Sequence, residues 1–235
     1  MPTSLALGKP LTGMVLAGMA GAGIAGHLVD IGPGLGAYAR AFRPLTGTAK
    51  WTAVEAWAPY VDSYNLKEYY DEAIIADVRY LDFTKLGPVD IMLFGDVLEH
   101  MSAGDAMDVL ESASHQARFL VISIPIGHWP QDEIDGNPFE AHVEDDLSAE
   151  KAQAMVPGLC SAQAYLNDDG VGIGLFFAAG KQEDRDVLRT HVNQAEARLN
   201  AKSCDDILHR VTIDFGDEAE LAPYRDAITN LVAPD

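Results

Sequence analysis

The fold of this chain is decided by one stretch of its sequence, residues 27–40, which read HLVDIGPGLGAYAR. A short apolar run predicts a buried strand over 27–31, and a helix is expected to begin at Ala37. Between them glycine alternates with other residues, and glycine lets the backbone take positive φ and lets a ligand approach closely. The free N–H groups at a helix start favour an electron-rich partner. The stretch therefore predicts a strand, a tight turn and a helix that together form a binding site.

The rest of the chain repeats this alternation of strand and helix. Apolar runs without polar alternation are typical of a parallel sheet that is covered on both faces. Strands that alternate with helices indicate a doubly wound sheet, and the segment 167–170 (NDDG) predicts a hairpin turn. The predicted fold class is therefore α/β, with a mostly parallel seven-stranded sheet and an antiparallel terminal hairpin. We expect strands at 27–31, 50–54, 73–76, 89–94, 119–124 (ended by Pro125), 162–166 and 171–178, and helices at 37–42, 57–64, 102–113, 148–155, 182–204 and 214–232.

The charge and the cysteine content restrict the class of function. The chain has 235 residues and a formal net charge of −20, from 16 basic and 36 acidic side chains. A protein that binds nucleic acid needs a basic surface for the phosphates, so neither a nucleic acid nor an anionic membrane surface is an expected partner. Cys160 and Cys204 lack metal-ligand spacing and are typical of reduced thiols. We therefore expect a cytoplasmic protein whose substrate is not a polyanion.

An uncharged segment, residues 11–26, precedes the first strand and resembles a targeting or membrane segment only superficially. It is shorter than the ~20 residues that span a bilayer, and its glycines weaken a helix. Lys9 stands alone where a signal peptide has a cluster of basic residues. We therefore expect a small-residue lead-in helix, either continuous or broken, that packs against the sheet.

Two kinds of motif fit the glycine turn when it is taken alone. The spacing Gly32-x-Gly34-x-x-Ala37 meets the dinucleotide-binding pattern. The pattern D-x-G-x-G-x-G over 30–36 is similar to motif I of the class I S-adenosyl-L-methionine-dependent methyltransferases. Glu55, at the end of the second predicted strand, suits either interpretation, because an acid there can accept hydrogen bonds from both ribose hydroxyls. The turn therefore predicts a nucleotide-like ligand and leaves its identity open.

Two later segments separate these interpretations. Asp77 follows the third predicted strand, and the segment 95–101 (GDVLEHM) follows the fourth. No dinucleotide-dehydrogenase pattern requires the second of these segments. As a set over residues 27–124, in this order and spacing, the motifs resemble the class I S-adenosyl-L-methionine-dependent methyltransferase superfamily. The terminal hairpin is similar to the antiparallel last strand of that superfamily.

This resemblance implies a Rossmann-like methyltransferase domain over residues 1–180, with a helical extension over 181–235 packed on the same domain. It implies S-adenosyl-L-methionine as the cofactor. The methyl group of this cofactor would be transferred to an oxygen of a small molecule such as a sugar or a natural product. A nitrogen is the second choice of acceptor atom. The implied cofactor-binding residues are Gly32, Gly34 and Gly36 for the methionine part, Glu55 for the ribose, Asp77 and Val78 for the adenine and Asp96 for the methyl end, with Asp30 and Val97 completing the set.

The segment 126–143 is long, polar and irregular, which is typical of a functional loop. Ligands of doubly wound sheets lie beyond the carboxyl ends of the strands, and in the similar family this loop helps to build the acceptor site. Trp129 and Phe139 could either wall an apolar acceptor or anchor the loop in the core. The expected substrate-binding residues are His100, Trp129, Phe139 and Glu140.

An acceptor hydroxyl also needs a base, for which imidazole has a suitable pKa. His128 and His142 are the first candidates and Asp96 is the second, although each histidine could instead hold the loop by hydrogen bonds. Some sugar O-methyltransferases of the superfamily use magnesium, which raises the question of a site built from Asp96, Glu140 and His142. The Glu140-x-His142 spacing is a weak signal, so we assign no metal ligand.

Two other functions remain open at this point. An oxidoreductase would bind NAD(P) through Gly32, Gly34, Ala37 and Glu55, but it gives the segment 95–101 no role. A non-catalytic module would bind the methyl donor without turnover. The polar C-terminal helices could pair between two subunits, which would give a homodimer.

Overall fold

The structure, a computed structural model, describes residues 5–201 and 206–232. Its strands are β1 (His27–Ile31), β2 (Lys50–Glu55), β3 (Glu72–Ile75), β4 (Val89–Gly95), β5 (Ala117–His128), β6 (Asp146–Leu147), β7 (Leu159–Leu166) and β8 (Gly172–Ala179). They form a sheet in the order β3-β2-β1-β4-β5-β8-β7. The first five of these strands are parallel, whereas β8 and β7 are antiparallel to their neighbours. The predicted α/β class and the terminal hairpin are therefore confirmed.

The sheet has eight strands rather than the predicted seven, because β6 pairs with β5 outside the main order. β5 is also longer than predicted, since it runs through Pro125 to His128. Proline removes one N–H donor, and a strand tolerates this loss where it lacks a neighbour on one side. β4 pairs with β5 only as far as Ser123, so Pro125 lies beyond that pairing. The extended end of β5 is the edge to which β6 adds.

The helices lie on both faces of the sheet. They are α1 (Lys9–Gly21), α2 (Ala37–Phe42), α3 (Ala58–Ser63), α4 (Leu66–Tyr69), α5 (Ala103–Gln116), α6 (Ala149–Met155), α7 (Gln182–Ala201) and α8 (Glu218–Val232). One core contains residues of α1, α2, α7 and α8, and the other contains residues of α5 and α6. Neighbouring strand residues such as Leu28 and Val29 belong to opposite cores. This double coverage is why the strands are continuous apolar runs in the sequence.

Within the small-residue segment before β1, α1 is one unbroken helix that ends at Gly21. α1 contacts α2, α7 and α8. A Cβ on Gly13 would lie 2.6 Å from Cε1 of Phe42 and 3.2 Å from Cδ1 of Ile228. The missing side chain therefore lets α1 approach α2 and α8 closely. Within the described ranges, no helix combines the length and the apolar character that a membrane crossing requires.

The C-terminal helices complete the face on which α1 lies. α7 and α8 contact α1 and each other. The predicted helix over 182–204 is observed as far as Ala201, and Cys204 lies outside the described residues. Cys160, on β7, is a free cysteine. The division of the chain at residue 180 and the pairing of subunits remain predictions.

Candidate functional site

A cleft lies beyond the carboxyl ends of β1, β2, β3 and β4. Ligands of open α/β sheets bind in this position, because the loops that leave the strands meet there. The cleft contains about 1180 Å³ of empty space, part of it open to solvent. Most of the sequence-predicted site residues line it, namely Gly32, Gly34, Glu55, Asp77, Val78, Asp96, Val97, His100, Trp129, Phe139, Glu140 and His142.

The glycine turn after β1 forms one wall of the cleft. Gly32 has a φ of +60°, and its N–H donates to the carbonyl of Val54 at 2.8 Å. A Cβ on Gly32 would lie 2.7 Å from Cγ2 of Val97, which is closer than real side chains approach. Glycine is therefore required twice over, by the left-handed backbone and by the close approach of Val97.

Glu55 faces this turn from the end of β2 and is only 4% exposed. Its Oε1 accepts a hydrogen bond from the N–H of Trp57 at 2.8 Å, and its Oε2 lies 3.4 Å from the amide nitrogen of Gly34. Burial raises the pKa of Glu55 to about 7, although the two N–H groups favour the charged form. Each carboxyl oxygen can accept a further hydrogen bond, so this group is suited to bind hydroxyls.

Asp77 and Val78 reach the cleft from the turn after β3. Both oxygens of Asp77 accept hydrogen bonds from Arg79, with Nε 3.0 Å from Oδ1 and Nη2 2.6 Å from Oδ2. Partial burial would raise the pKa of Asp77, but the hydrogen bonds and the charge of Arg79 lower it overall. The carboxylate is therefore already paired within the chain, a contact that the sequence analysis did not predict.

Asp96 follows β4 with a φ of 58°. Residues other than glycine adopt this left-handed conformation rarely, and such residues cluster at functional sites. The hydroxyl of Ser123 donates to Oδ1 of Asp96 at 2.9 Å, and the N–H of Asp96 donates to the carbonyl of Ser123 at 2.9 Å. The Nζ of Lys9, on α1, lies 4.0 Å from Oδ2. Contacts from β5 and α1 therefore fix the direction of this carboxylate.

The loop between β5 and β6 forms another wall of the cleft and is held by its own hydrogen bonds. The N–H of His142 donates to the carbonyl of Gln131 at 2.9 Å, and Nε2 of Gln131 donates to the carbonyl of Glu140 at 2.7 Å. Trp129 and Phe139 of this loop line the cleft. Burial raises the pKa of Glu140. The loop is therefore an ordered wall that presents aromatic and ionisable groups.

Glu99, His100 and His142 form a cluster that the sequence analysis did not predict. One potential ligand atom of each side chain lies within 4.8 Å of those of the other two. Nδ1 of His100 lies 3.2 Å from the carbonyl oxygen of Ala141, and Nδ1 of His142 lies 2.5 Å from that of Trp129. The two rings meet edge to face, with centroids 4.9 Å apart. The adjacent acid and histidine after β4 were the available sequence signal, and only folding brings His142 beside them.

Burial dominates the ionisation of Glu99 and His100. It raises the pKa of Glu99 well above its usual range. It lowers the pKa of His100, against the hydrogen bond to the carbonyl of Ala141, which favours the protonated ring. The environment therefore keeps His100 neutral, and a neutral imidazole has a nitrogen lone pair that can bind a proton or a metal ion.

Three of the predicted site residues do not line the cleft. Asp30 is 1% exposed, and its Oδ2 accepts a hydrogen bond from the hydroxyl of Tyr70. Gly36 caps the start of α2 and packs beside the ring of Tyr70. His128 is exposed and pairs with Asp146, because β5 continues past Pro125 and makes it a strand residue. These positions do not support the predicted roles of Asp30 and Gly36 in cofactor binding or of His128 as the base.

Solved structures share this fold, although no family model and no curated protein matches the sequence. Human N-acetylserotonin methyltransferase in complex with S-adenosylmethionine has a TM-score of 0.50 and 14% identity, covering 72% of this chain and 51% of that chain. A second similar structure is Burkholderia thailandensis 1,6-didemethyltoxoflavin-N1-methyltransferase with bound 1,6-didemethyltoxoflavin and S-adenosylhomocysteine. It has a TM-score of 0.50 and 17% identity, covering 74% of this chain and 77% of that chain. This chain therefore has the Rossmann-like fold that is found in these methyltransferases.

Proposed function

We propose that this protein is an S-adenosyl-L-methionine-dependent methyltransferase that acts on an oxygen of a small molecule. The observation that carries the proposal is the position of Glu55, which is buried opposite the amide of Gly34 in the wall of the cleft. An acid at this strand end can accept hydrogen bonds from the hydroxyls of a ribose. The glycine turn beside it lets the remainder of an adenosyl ligand approach the backbone.

The charge of the cleft favours a positively charged ligand. Arg79 is the one lysine or arginine among the described residues that line the cleft, and it is paired with Asp77. S-adenosylmethionine carries a positive sulfonium, whereas the pyrophosphate of NAD(P) is negative and would be repelled. Asp96, together with the other carboxyl groups of the lining where they are ionised, therefore supports the methyl donor over the dinucleotide. The acidic side chains of the lining are Glu55, Asp77, Asp96, Glu99 and Glu140.

Methyl transfer to a hydroxyl requires alignment of the reactants and a group that takes a proton. When bound, the cofactor supplies a methyl group on a positively charged sulfur, which is left as a neutral thioether. The acceptor oxygen bonds to the methyl carbon and releases its own proton. Among the cleft groups that can take this proton, the proposal assigns the role to His142 or Asp96. The walls of the cleft contribute by holding the two reactants in line. Alignment alone can supply a large part of the rate enhancement over the uncatalysed reaction.

The acceptor is proposed to bind against the loop between β5 and β6. Trp129 and Phe139 offer apolar surface, and Glu140 offers a hydrogen-bond acceptor. Proton acceptors in the cleft favour a hydroxyl over an amine, because a neutral amine can attack before it loses a proton. The acceptor is therefore proposed to be a small hydroxylated molecule with an apolar face.

Calorimetry with S-adenosylhomocysteine and with NAD tests the cofactor. We expect the first ligand to bind and the second not to bind. Glu55→Ala should weaken binding of S-adenosylhomocysteine by at least about tenfold, because a buried ribose would lose charge-assisted hydrogen bonds. The matched control is Glu68→Ala, since Glu68 is exposed on α4 and should leave binding unchanged.

Binding of NAD without binding of S-adenosylhomocysteine would overturn the proposal and support the oxidoreductase. Turnover is measured as release of S-adenosylhomocysteine during incubation of S-adenosylmethionine with a panel of hydroxylated small molecules. Tight binding of the cofactor without turnover on a broad panel would support a non-catalytic module.

A further inference from the structure

The cluster of Glu99, His100 and His142 presents three metal-ligating groups to one point of the cleft. The potential ligand atoms lie within 4.8 Å of one another, and all three residues line the cleft. Two imidazoles and one carboxylate are ligands that first-row transition-metal ions prefer, and three protein ligands leave coordination positions open. The composition and the spacing of the cluster are therefore those of an open metal site.

Glu99 supplies an independent sign that a cation belongs here. Its side chain is 1% exposed, and neither carboxyl oxygen has a hydrogen-bond partner among the residues that the structure describes. A buried polar group without a partner is costly, and buried charges are normally paired or bound to metal. A protonated Glu99 has one O–H group, which can donate a hydrogen bond to one neighbour. A cation could instead bind the carboxylate and both imidazole rings at once.

Backbone carbonyls hold both histidine rings of the cluster. Each ring has Nδ1 beside a backbone carbonyl oxygen, that of Ala141 for His100 and that of Trp129 for His142. A carbonyl only accepts, so Nδ1 of each neutral ring carries the proton and Nε2 carries the lone pair. Hydrogen bonds of this kind fix the tautomer and the orientation of most metal-binding histidines. In each ring this tautomer leaves the lone pair on Nε2, the nitrogen that would bind a cation.

The backbone holds the two halves of the cluster together. The carbonyl of Glu99 accepts hydrogen bonds from the N–H of Val143 at 2.8 Å and of Glu144 at 3.0 Å. The carboxylate of Glu144 in turn accepts from the N–H of Ala103 at 2.9 Å. These contacts join the turn after β4 to the loop that carries His142. The cluster is therefore held in place by hydrogen bonds of the chain itself, as a preorganised site requires.

We propose that Glu99, His100 and His142 bind one divalent transition-metal ion that holds the acceptor of the methyl group. The role of the ion rests on the proposed function, whereas the binding of the ion does not depend on it. The open positions would take oxygen atoms of the acceptor, so the substrate class is narrowed to molecules that chelate a metal, such as a vicinal diol or a hydroxyl beside a carbonyl. A metal ion lowers the pKa of a bound hydroxyl. With Nε2 of His142 on the metal, Asp96 takes the proton.

Cobalt binding tests the site directly. The full chain, without a polyhistidine tag and treated with a chelator, is titrated with Co²⁺ and followed by its visible d–d absorption, which reports the ligands and their geometry. We expect one Co²⁺ per chain, displaced by Zn²⁺. Glu99→Gln and His142→Ala should each weaken Co²⁺ binding by at least about tenfold. The matched control His115→Ala should bind as the wild type does, because His115 is exposed on α5.

Calorimetry with S-adenosylhomocysteine on the same samples separates this inference from the proposed function. Wild-type protein that binds S-adenosylhomocysteine but no Co²⁺ would overturn the metal site and leave the proposed function intact. Equal Co²⁺ affinity in the wild type, Glu99→Gln and His142→Ala would overturn it as well. Protein that binds Co²⁺ through these residues but no S-adenosylhomocysteine would retain the site and refute the methyltransferase. Thermal unfolding of each variant shows whether it is folded. If a variant is not folded, the wild-type titration still tests whether this protein binds Co²⁺.

Discussion

At the end of β1, the carboxylate of Asp30 is buried beneath the glycine turn and accepts a hydrogen bond from the hydroxyl of Tyr70 at 2.6 Å. Burial raises the pKa of Asp30 to about 7, while the Tyr70 hydrogen bond and the charge of Lys9 favour the ionised form. Its second oxygen, Oδ1, has no hydrogen-bond partner within the described part of the chain. Asp30 is therefore a buried carboxyl group held by Tyr70, and the Tyr70 hydrogen bond favours its ionised form.

Replacement of Tyr70 by phenylalanine is expected to destabilise the protein. The loss should be about 2 kcal/mol at pH 8, because a hydrogen bond to a charged group is removed from a buried carboxylate. Asp30 has a raised pKa in the folded state, so its contribution to stability is complete below its usual pKa and is lost as the pH rises through about 7. The loss in Tyr70→Phe should therefore be smaller at pH 6. Urea unfolding at both pH values measures it, and a loss no larger than that in the exposed control Tyr80→Phe would contradict the prediction.

The affinity for S-adenosylhomocysteine should depend on pH through Glu55. The pKa of Glu55 is raised to about 7 in the free protein, mainly by burial, so the carboxyl is largely protonated at pH 6. In the ionised form both oxygens of Glu55 are free to accept hydrogen bonds, whereas in the protonated form one of them carries a proton. We expect binding to weaken by up to about tenfold between pH 8 and pH 6, since each pH unit below the pKa costs at most a factor of ten.

Calorimetry at several pH values measures this dependence, and Glu55→Gln is the matched control, because glutamine does not titrate. The variant should bind with nearly the same affinity at pH 6 and pH 8. The same pH dependence in the wild type and in Glu55→Gln would show that another group is responsible.

At the scale of the elements, α1 explains why small residues precede the first strand. Its buried surface contacts three other helices, and Gly13 packs against Phe42 of α2 and Ile228 of α8. Glycine weakens a helix by about 1 kcal/mol relative to alanine. We therefore expect the close packing that Gly13 permits to stabilise the protein by more than its low helix propensity destabilises it.

Alanine substitutions at two glycines of α1 should have opposite effects. Gly13→Ala is expected to destabilise by about 1–3 kcal/mol, because its Cβ would lie 2.6 Å from the Phe42 ring and a packed core must shift. Gly21→Ala is expected to stabilise by up to about 1 kcal/mol, because no atom lies within 4 Å of its Cβ. Urea unfolding of both variants measures the difference. Stabilisation by both substitutions would show that α1 is not tightly packed at Gly13.

For the whole molecule, the excess of acidic side chains dominates the electrostatics. The formal net charge is −20, so repulsion between surface carboxylates opposes the compact state. Salt screens such repulsion, and the Debye length falls to about 8 Å at physiological ionic strength. Screening should therefore stabilise this protein, although it weakens individual surface ion pairs.

The melting temperature should rise as sodium chloride increases from about 10 to 150 mM, with a smaller further rise above that range. Differential scanning calorimetry measures it, and potassium chloride at equal ionic strength should give the same curve. A melting temperature that falls with either salt would show that ion pairs, rather than net repulsion, dominate.

Much of the cleft could be predicted from sequence because its parts lie at strand ends. Glu55 and Asp77 each follow an apolar run, and parallel strands bring such ends to one edge of the sheet. The loop between β5 and β6 was less predictable. Pro125 suggested the end of a strand, yet the strand continues, and this places His128 on an exposed edge while His142 reaches the cleft. A rule about proline alone could not show that β4 stops pairing with β5 at Ser123, which leaves β5 without that neighbour at Pro125.

The sequence by itself determined the α/β class, the glycine turn and the order of the acids along the sheet edge, because these depend on local conformation and on apolar periodicity. Only the tertiary structure decided that Asp30 is buried against Tyr70 and that Asp77 is paired with Arg79. It alone placed Glu99 without a partner between two histidines from separate segments. The physical reason is that burial and pairing depend on contacts between distant segments, which the packing of the whole chain sets and no local pattern encodes.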